Sequence, residues 1–360
     1  MTYMLTFTGK ELFRGGHMAI IKFSTMDLGT YDTSVVVSAV TQTNTANNKP
    51  MVKITISDGD DTITAIQFDT TKADLAYAGI EEGVTALIRL EITDYKGSKS
   101  YKIININPVK LPEDELKLLI KLPPEDPAKL THDILMLIKQ SSGRAYDMTN
   151  TDVPDDDFSL TALAVRIIKS NLAAFTKSSA AKAMHHNIYG GLAYHTYRML
   201  RSAYAMCEVY TLLNRELLVC GTALHDIGKL IEMKTSDTGI AKYTDMGNLF
   251  GHPLLGIEMI DHEVWNKNQA IGGKSYNSEQ VAMLKHMIAS HHGQPEWGAI
   301  RVPSTPEAMI LHELDMIDSR MYMYEENFKD MSSGSSSEPV FGIAGDGKTV
   351  IYKNSFSDYE

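Results

Sequence analysis

The sequence is poor in cysteine, since only Cys207 and Cys220 occur among its 360 residues, and both lie in apolar stretches. Two such thiols indicate small buried side chains in a reducing compartment and argue against a disulfide. Long apolar runs are also missing, so we expect no membrane-spanning helix and no membrane partner. The first residues lack the basic, apolar and small-residue order of a secretory signal, and we therefore expect a cytoplasmic protein.

Positive charge is scarce as well. The formal net charge is −11, whereas tight non-specific binding to nucleic acid normally requires a basic face. A metal centre, however, brings its own positive charge to a phosphate, and the carboxylates that hold it add to the acidic count. The charge therefore still allows an enzyme that acts on a strand end through a short basic track.

The segment 18–110 has the pattern of β-structure. Short runs rich in Val, Ile and Thr occur at 34–40, 51–57, 62–68, 85–92 and 101–106, and turn residues separate them. A helix-like stretch at 72–82 precedes the fourth run. Five strands with a helix before the fourth is the order of an OB-fold, a barrel that commonly binds single strands. The sequence predicts an OB-fold-like β-barrel here, although other small barrels fit almost as well.

From residue 111 the apolar period shifts from 2 toward 3.6, which predicts an all-α bundle over 111–331. The candidate helices are 113–121, 127–140, 159–175, 188–213, 216–233, 253–265, 278–290 and 306–328. A Ser/Gly linker at 332–337 begins the final segment, 332–360, where two short apolar runs around Gly345-Asp346-Gly347 indicate a hairpin. We therefore expect a multidomain protein with α and β parts: a barrel, a helical bundle and a short C-terminal tail.

Histidines and aspartates with apolar neighbours are distributed along the predicted bundle. In chain order they are His195, His225, Asp226, His252, His291, His292 and Asp315. A single buried histidine is usually a hydrogen-bonded core residue. The whole set, however, supplies neutral imidazoles and carboxylates from separate helices, as a cage for one or two divalent ions requires. This pattern predicts metal-assisted hydrolysis of a phosphate ester.

Three residues near these candidates receive more specific roles. Asp226 has two carboxylate oxygens and could bridge two ions, so we assign it a catalytic role. Lys229, about one turn further on, is the second catalytic candidate, because its ammonium group could hold a phosphate oxygen. Asp318 is a weaker candidate that would only orient a ligand. Mixed imidazole and carboxylate ligation favours a transition metal over magnesium.

The order His, His-Asp, His, His-His, Asp resembles the HD superfamily of metal-dependent phosphohydrolases. The stretches that carry the resemblance are KAMHHNIYGGLAYHT, GTALHDIGKL, YTDMGNLFGHPLLGIEMI, KHMIASHHG and PSTPEAMILHELDMIDSRM. They are similar to one branch, the YhaM-type 3′-to-5′ exoribonucleases, which also carry an N-terminal OB-fold. The resemblance covers roughly residues 30–330, and the extra N-terminal residues and the acidic barrel segment depart from it.

The resemblance implies a ligand set. His195, His225, Asp226 and Asp315 would hold a first ion. His252 and one or both of His291 and His292 would hold a second ion, with Asp226 as the bridge. The implied metal is manganese, with cobalt or magnesium as alternatives.

Candidate nucleic-acid contacts lie in both predicted domains. The resembling stretch contains His185 and His186, which could touch the substrate or have a structural role. In the barrel, aromatic residues could stack bases and lysines could follow phosphates; they are Phe68, Tyr95, Lys96, Lys99, Tyr101 and Lys102. Acidic residues outnumber basic ones over 31–110, and alternate aromatics in a barrel are often core residues.

Together these features predict a metal-dependent 3′-to-5′ exoribonuclease that releases nucleoside monophosphates from single-stranded RNA, with DNA left open as a substrate. One alternative is an HD phosphohydrolase of small nucleotides such as dNTPs or cyclic dinucleotides, but such an enzyme needs no strand-binding barrel. The second alternative is a non-catalytic single-strand-binding module, which the complete ligand series disfavours. Self-association is left open.

Overall fold

The computed structural model describes residues 13–14, 17–18, 20–181, 188–270, 273–343 and 347–356. The chain divides into two compact units. The first is Met1–Leu122 together with Ser236–Ile240, and the second is Pro123–Thr235 together with Ala241–Glu360. The first unit thus extends beyond the predicted barrel boundary at 110. Within the described ranges, no helix has the length and apolar character needed to cross a membrane.

The first unit contains a closed five-stranded barrel. Its strands are β1 (Gly29–Asn44), β2 (Pro50–Ser57), β3 (Thr62–Phe68), β4 (Thr85–Tyr95) and β5 (Ser98–Pro108), with α1 (Lys72–Tyr77) between β3 and β4. The strands are hydrogen-bonded in the order β1-β2-β3-β5-β4, and the barrel closes between β4 and β1. This order and the position of α1 are those of an OB-fold, so the predicted barrel is confirmed.

The barrel closes because β1 is long enough to pair with two neighbours. Its first half pairs with β4 and its second half with β2, and the register shifts between Val37 and Ala39. A bulge of this kind bends a strand and increases its twist. Strands β4 and β5 form a hairpin through Lys96-Gly97, where both residues have positive φ, as a tight two-residue turn requires. Alternate residues, such as Ile88 and Leu90 of β4, are fully buried inside.

The remaining chain is mostly helical. The helices are α2 (Glu113–Lys117), α3 (Pro127–Ser141), α4 (Leu160–Ser170), α5 (Leu172–Lys177), α6 (Gly191–Val209), α7 (Arg215–Leu224), α8 (Lys229–Glu232), α9 (Asp245–Ala270), α10 (Ser278–Ser290) and α11 (Pro306–Lys329). A hairpin of β6 (Met233–Thr235) and β7 (Ala241–Tyr243) lies between α8 and α9. Near the C-terminus, β8 (Ser335–Ser336) pairs with β11 (Tyr352–Lys353), and β9 (Val340–Phe341) pairs with β10 (Lys348–Thr349).

One apolar core holds the helices of the second unit together. Each of α4, α6, α7, α10 and α11 contributes fully buried leucines to it, namely Leu163, Leu200, Leu218, Leu284 and Leu311. Burial of a leucine side chain contributes about 1.5–3 kcal/mol relative to exposure. The polar residues of the candidate site therefore lie on, or directly after, helices that apolar packing holds in place.

Several helix boundaries differ from the sequence prediction. The helix predicted at 159–175 is interrupted at Asn171, and the one predicted at 216–233 stops at Leu224. Helix α9 begins at Asp245 and kinks at Gly251, which has a φ of 70°, before Pro253. The prediction located only the part after the kink. Strands β6 and β7 were not predicted, because three-residue strands carry too little alternation to detect.

Candidate metal centre

The structure brings all seven predicted ligand residues together. They form two groups, and within each group one ligand atom per residue lies within 4.8 Å of the others; the groups are His195, His225 and Asp226, and His252, His291 and His292. The seventh residue, Asp315 of α11, has its Oδ1 atom 3.3 Å from Nε2 of His195.

Local chain geometry explains how the two groups meet. Helix α7 ends at Leu224, so His225 and Asp226 occupy the turn that follows it. Gly228 ends this turn, and a Cβ atom there would be only 2.0 Å from the carbonyl oxygen of His252. Glycine is therefore required for α9 to approach the turn after α7. This close approach brings His252 beside Asp226.

Four of the five imidazoles are oriented by a hydrogen bond at Nδ1. Since the acceptors are carbonyl or carboxylate oxygens, Nδ1 carries a proton, and in the neutral ring Nε2 presents its lone pair to the centre. The pairs are His225 with the Thr222 carbonyl at 2.8 Å, His291 with the Ile288 carbonyl at 2.7 Å, His195 with Asp318 at 2.7 Å, and His252 with Glu232 at 3.0 Å. The Nδ1 atom of His292 is buried and has no hydrogen-bond partner among the described residues.

The Nε2 atoms face one another at short distances. That of His252 lies 3.3 Å from Nε2 of His291 and 3.2 Å from Nε2 of His292. Two lone pairs at this distance repel each other unless a cation lies between them. Ligand nitrogens at about 2.1 Å from one ion, at right angles, would be about 3 Å apart. The donor set therefore fits a divalent ion in each group.

Asp226 joins the two groups. Its Oδ1 atom lies 3.3 Å from Nε2 of His252, and its Oδ2 atom lies 3.3 Å from Nε2 of His225. One oxygen thus faces each group, as a bridging carboxylate requires. The Lys229 ammonium is 2.6 Å from Oδ2. Burial favours the neutral acid, but Lys229 and the neighbouring imidazoles hold the pKa of Asp226 well below its usual range.

The electrostatics differ between the two groups. Burial and the neighbouring His252 lower the pKa of His292 to about 4, and burial also lowers the pKa of His291 well below its usual value. Both rings are therefore neutral near pH 7, which is the form that binds metals. Burial opposes charge on His195 too, but Asp315 and Asp318 raise the pKa of this imidazole to about 10. His195 is therefore protonated near pH 7 when no ion is bound, and an ion that binds its Nε2 atom would displace that proton.

A layer of residues behind the ligands was missed by sequence reasoning. Glu232 accepts hydrogen bonds from the backbone N–H and from Nδ1 of His252, both at 3.0 Å. Arg198 donates to Asp318 at 2.6 Å and forms a two-bond pair with Glu325. A sequence signal for Arg198 exists, because it lies one turn after His195 on the same helix. Glu232 could not be linked to a ligand by helical spacing, since the chain turns between it and His225.

The predicted nucleic-acid contacts fall into two classes. Phe68 is 45% exposed and Tyr95 is 65% exposed. The Lys96 ammonium lies 5.3 Å from the centre of the Tyr95 ring. The others make contacts within the barrel: Lys99 donates to the Met26 carbonyl, Lys102 pairs with Glu91, and Tyr101 packs against the barrel core. His185 and His186 lie outside the described residues.

Comparison with known proteins agrees with the fold and identifies the family. Residues 192–320 match the family model described as "HD domain", so the second unit contains an HD domain. A 3′-5′ exoribonuclease YhaM from Listeria welshimeri is 30% identical over 300 residues, which cover 83% of this chain and 88% of the relative. The Bacillus subtilis protein of the same name is 29% identical over 87% of this chain and 92% of its own length. The chain belongs to the YhaM family of 3′-5′ exoribonucleases.

Solved structures with low overall similarity were also found. The mitochondrial single-stranded DNA binding protein Rim1 from S. cerevisiae matches 24% of this chain and 100% of its own chain, with a TM-score of 0.21 and 16% identity. A Replication Protein A heterotrimer bound to ssDNA matches 29% of this chain and 75% of its own chain, with a TM-score of 0.20. The OB-fold assignment depends on the strand order described above and not on these matches.

Proposed function

We propose that this protein is a metal-dependent 3′-to-5′ exoribonuclease that removes nucleoside monophosphates from the 3′ end of single-stranded RNA. The observation that carries the proposal is Asp226, which directs one carboxylate oxygen to each of two histidine groups inside an HD domain. The relatives in the YhaM family are named for this activity. The OB-fold barrel in the same chain gives the enzyme a strand-binding surface.

The seven residues divide into two ligand sets that share Asp226. His195, His225 and Asp315 belong to the first set, and His252, His291 and His292 belong to the second. Divalent ions held there would activate water at neutral pH and offset negative charge on the scissile phosphate. Manganese is the proposed metal, because imidazoles outnumber carboxylates and magnesium prefers oxygen ligands.

Lys229 has two roles in this proposal. Its ammonium group balances the buried charge of Asp226 at 2.6 Å. Although burial opposes the charged form, Asp226 raises the pKa of Lys229, so the side chain stays cationic. A fixed cation beside the bridging carboxylate can also hold a non-bridging phosphate oxygen and stabilise the charge that develops there during hydrolysis.

Two further points of the proposal concern the cellular compartment and self-association. Cys207 and Cys220 are free and buried, which suits the reducing cytoplasm. Self-association is not required by the chemistry, because one chain supplies all seven donors of the centre.

The activity is tested with 5′-labelled single-stranded RNA and purified protein in the presence of manganese. The labelled RNA should shorten stepwise from its 3′ end, and chelation of the metal should stop the reaction. Asp226→Ala should abolish hydrolysis while circular dichroism and the melting temperature show an intact fold. Asp261→Ala is the matched control, because this exposed carboxylate on α9 pairs only with Lys285 among the interactions described.

Two outcomes would contradict the proposal. RNA that stays intact while mononucleotides or cyclic dinucleotides are hydrolysed rapidly would favour a small-nucleotide phosphohydrolase. Hydrolysis by Asp226→Ala at saturating manganese would show that the chemistry takes place without the bridging carboxylate.

A further inference from the structure

An exposed tryptophan lies close to the proposed metal ligands. Trp297 ends a short 3₁₀ turn, Pro295–Trp297, a few residues after α10, and 48% of its surface is exposed. The following residue, Gly298, approaches the ligand His292 so closely that a Cβ atom there would be 3.1 Å from Nδ1. Trp297 therefore lies in the loop that follows two ligands of the centre, and about half of its surface is open to solvent.

The indole is supported by a ring that also contacts the ligand segment. His312 of α11 stacks on Trp297, with ring centroids 6.1 Å apart and planes at 24°. The same imidazole donates a hydrogen bond from Nδ1 to the carbonyl oxygen of His291 at 2.8 Å. It fits there because the neighbouring residue is Gly293, where a Cβ atom would lie 2.4 Å from the ring. Trp297 is thus held in a defined position relative to His291.

The backbone of the loop is fixed as well. The Trp297 N–H donates to the carbonyl oxygen of Gln294 at 3.0 Å, and the Ile300 N–H donates to that of Ala289, in the last turn of α10, at 2.8 Å. A prepositioned aromatic side chain loses little conformational entropy when a ligand binds. The loop therefore has the properties of a binding platform.

We propose that Trp297 is a nucleobase subsite, on which the base of the 3′-terminal nucleotide stacks while its phosphodiester lies at the metal centre. This inference rests on the proposed exonuclease function. Stacking on an aromatic ring tolerates every base, because each base has a π-face. An enzyme that removes successive nucleotides of any sequence needs such a contact beside the scissile bond. Trp297 meets this need without hydrogen bonds that would select one base.

Binding is measured first by fluorescence, which does not depend on catalysis. The chain has two tryptophans, so Trp265→Phe leaves Trp297 as the only indole fluorophore. We expect AMP and UMP to quench its emission in a saturable manner. Ribose 5-phosphate, which has the phosphate but no base, should not quench it. Equal quenching by all three compounds, or by none, would overturn the subsite.

Kinetics provide the second measurement. Trp297→Ala should raise KM for single-stranded RNA roughly 5- to 150-fold, the range expected for the loss of one stacked base. kcat should change much less, and Trp297→Phe should restore most of the affinity. RNA that ends in an abasic nucleotide should be degraded equally by the wild type and by Trp297→Ala. Trp265→Ala is the matched control, because Trp265 lies about 20 Å along α9 from His252.

The outcomes separate this inference from the function on which it rests. If Trp297→Ala slows ordinary and 3′-abasic RNA by the same factor, the indole is only structural and the subsite is wrong. If the wild type and Trp297→Ala instead degrade RNA with an abasic penultimate nucleotide equally, Trp297 binds a different nucleotide from the one proposed. Failure of the wild type to shorten any RNA would remove the exonuclease proposal itself.

Discussion

Imidazole has two ring nitrogens, and a metal ligand needs one of them deprotonated and directed at the ion. In this centre a hydrogen bond at Nδ1 determines which nitrogen of the ring faces the ion. His195 shows the most extended arrangement, because its Nδ1 atom donates to Asp318, Asp318 accepts from Arg198, and Arg198 pairs with Glu325. This row of alternating charges fixes the ring and keeps Nε2 directed toward Asp226 and Asp315. Asp318 therefore acts as a positioning residue.

We predict that Asp318→Asn lowers the affinity for manganese about 10- to 100-fold, the usual effect of losing such a partner. The amide oxygen can still accept a hydrogen bond from His195, but the negative charge that faces Arg198 is lost. Calorimetric titration of the folded protein with manganese measures the effect. Glu325→Gln is the matched control, because it alters the other partner of Arg198 and leaves Asp318 intact; an equal loss in both variants would contradict the prediction.

The elements that carry the ligands were predicted unevenly. The bounds of α10 follow from the sequence, since Asn277 caps the N-terminus through hydrogen bonds to Glu279 and Gln280 and Gly293 follows the end. The end of α7 could not be predicted from the sequence, because residues 216–233 have a helical apolar period throughout. The chain leaves the helix after Leu224 because packing against α9 at Gly228 replaces the local preference. Contacts between distant segments therefore set this boundary.

Gly228→Ala is predicted to separate the turn after α7 from α9. The added Cβ atom would overlap the His252 carbonyl at 2.0 Å, and backbone cannot give way as a flexible side chain can. We expect the free energy of unfolding to fall by about 1–3 kcal/mol, the usual cost of overpacking. RNA hydrolysis should be lost together with metal binding at the His252 group.

Urea unfolding and manganese titration test this prediction. Gly347→Ala is the control, because a Cβ atom there would have no neighbour within 4 Å. A Gly228→Ala protein with wild-type metal affinity would show that α9 can move without disturbing the centre.

At the scale of the whole molecule, the order of domains could be predicted, whereas the residues behind the ligands could be predicted only in part. Strand spacing identified the barrel, and the ordered His and Asp residues identified the HD domain. Asp318 was predicted to orient a ligand, but the ligand that it orients is His195, which is 123 residues away in the chain and was not specified. Such pairings depend on how helices pack, and no local period records them. The same reason explains why Tyr101 and Lys99, predicted to contact RNA, are engaged within the barrel.

The net charge of −11 limits how the whole protein can bind RNA. Because acidic residues outnumber basic ones, affinity has to come from a few local contacts and should depend only weakly on salt. The turn between β4 and β5 offers such contacts, because Tyr95 is exposed and Lys96 lies over its ring.

We predict that Tyr95→Ala weakens binding of single-stranded RNA by about 1–3 kcal/mol through lost stacking. Lys96→Ala should instead reduce the slope of log affinity against log salt by about 0.7, the value for one phosphate contact.

Fluorescence anisotropy with labelled RNA at several salt concentrations, in the presence of a chelator to prevent hydrolysis, distinguishes these two effects. Tyr77→Ala is the control, because Tyr77 is 97% exposed on α1 of the same barrel and is not a candidate contact. A loss of affinity in Tyr77→Ala equal to that in Tyr95→Ala would show that exposed aromatics bind RNA without regard to position. An unchanged salt slope in Lys96→Ala would mean that phosphate contacts lie elsewhere, because removal of a lysine that neutralises a phosphate has to alter counterion release.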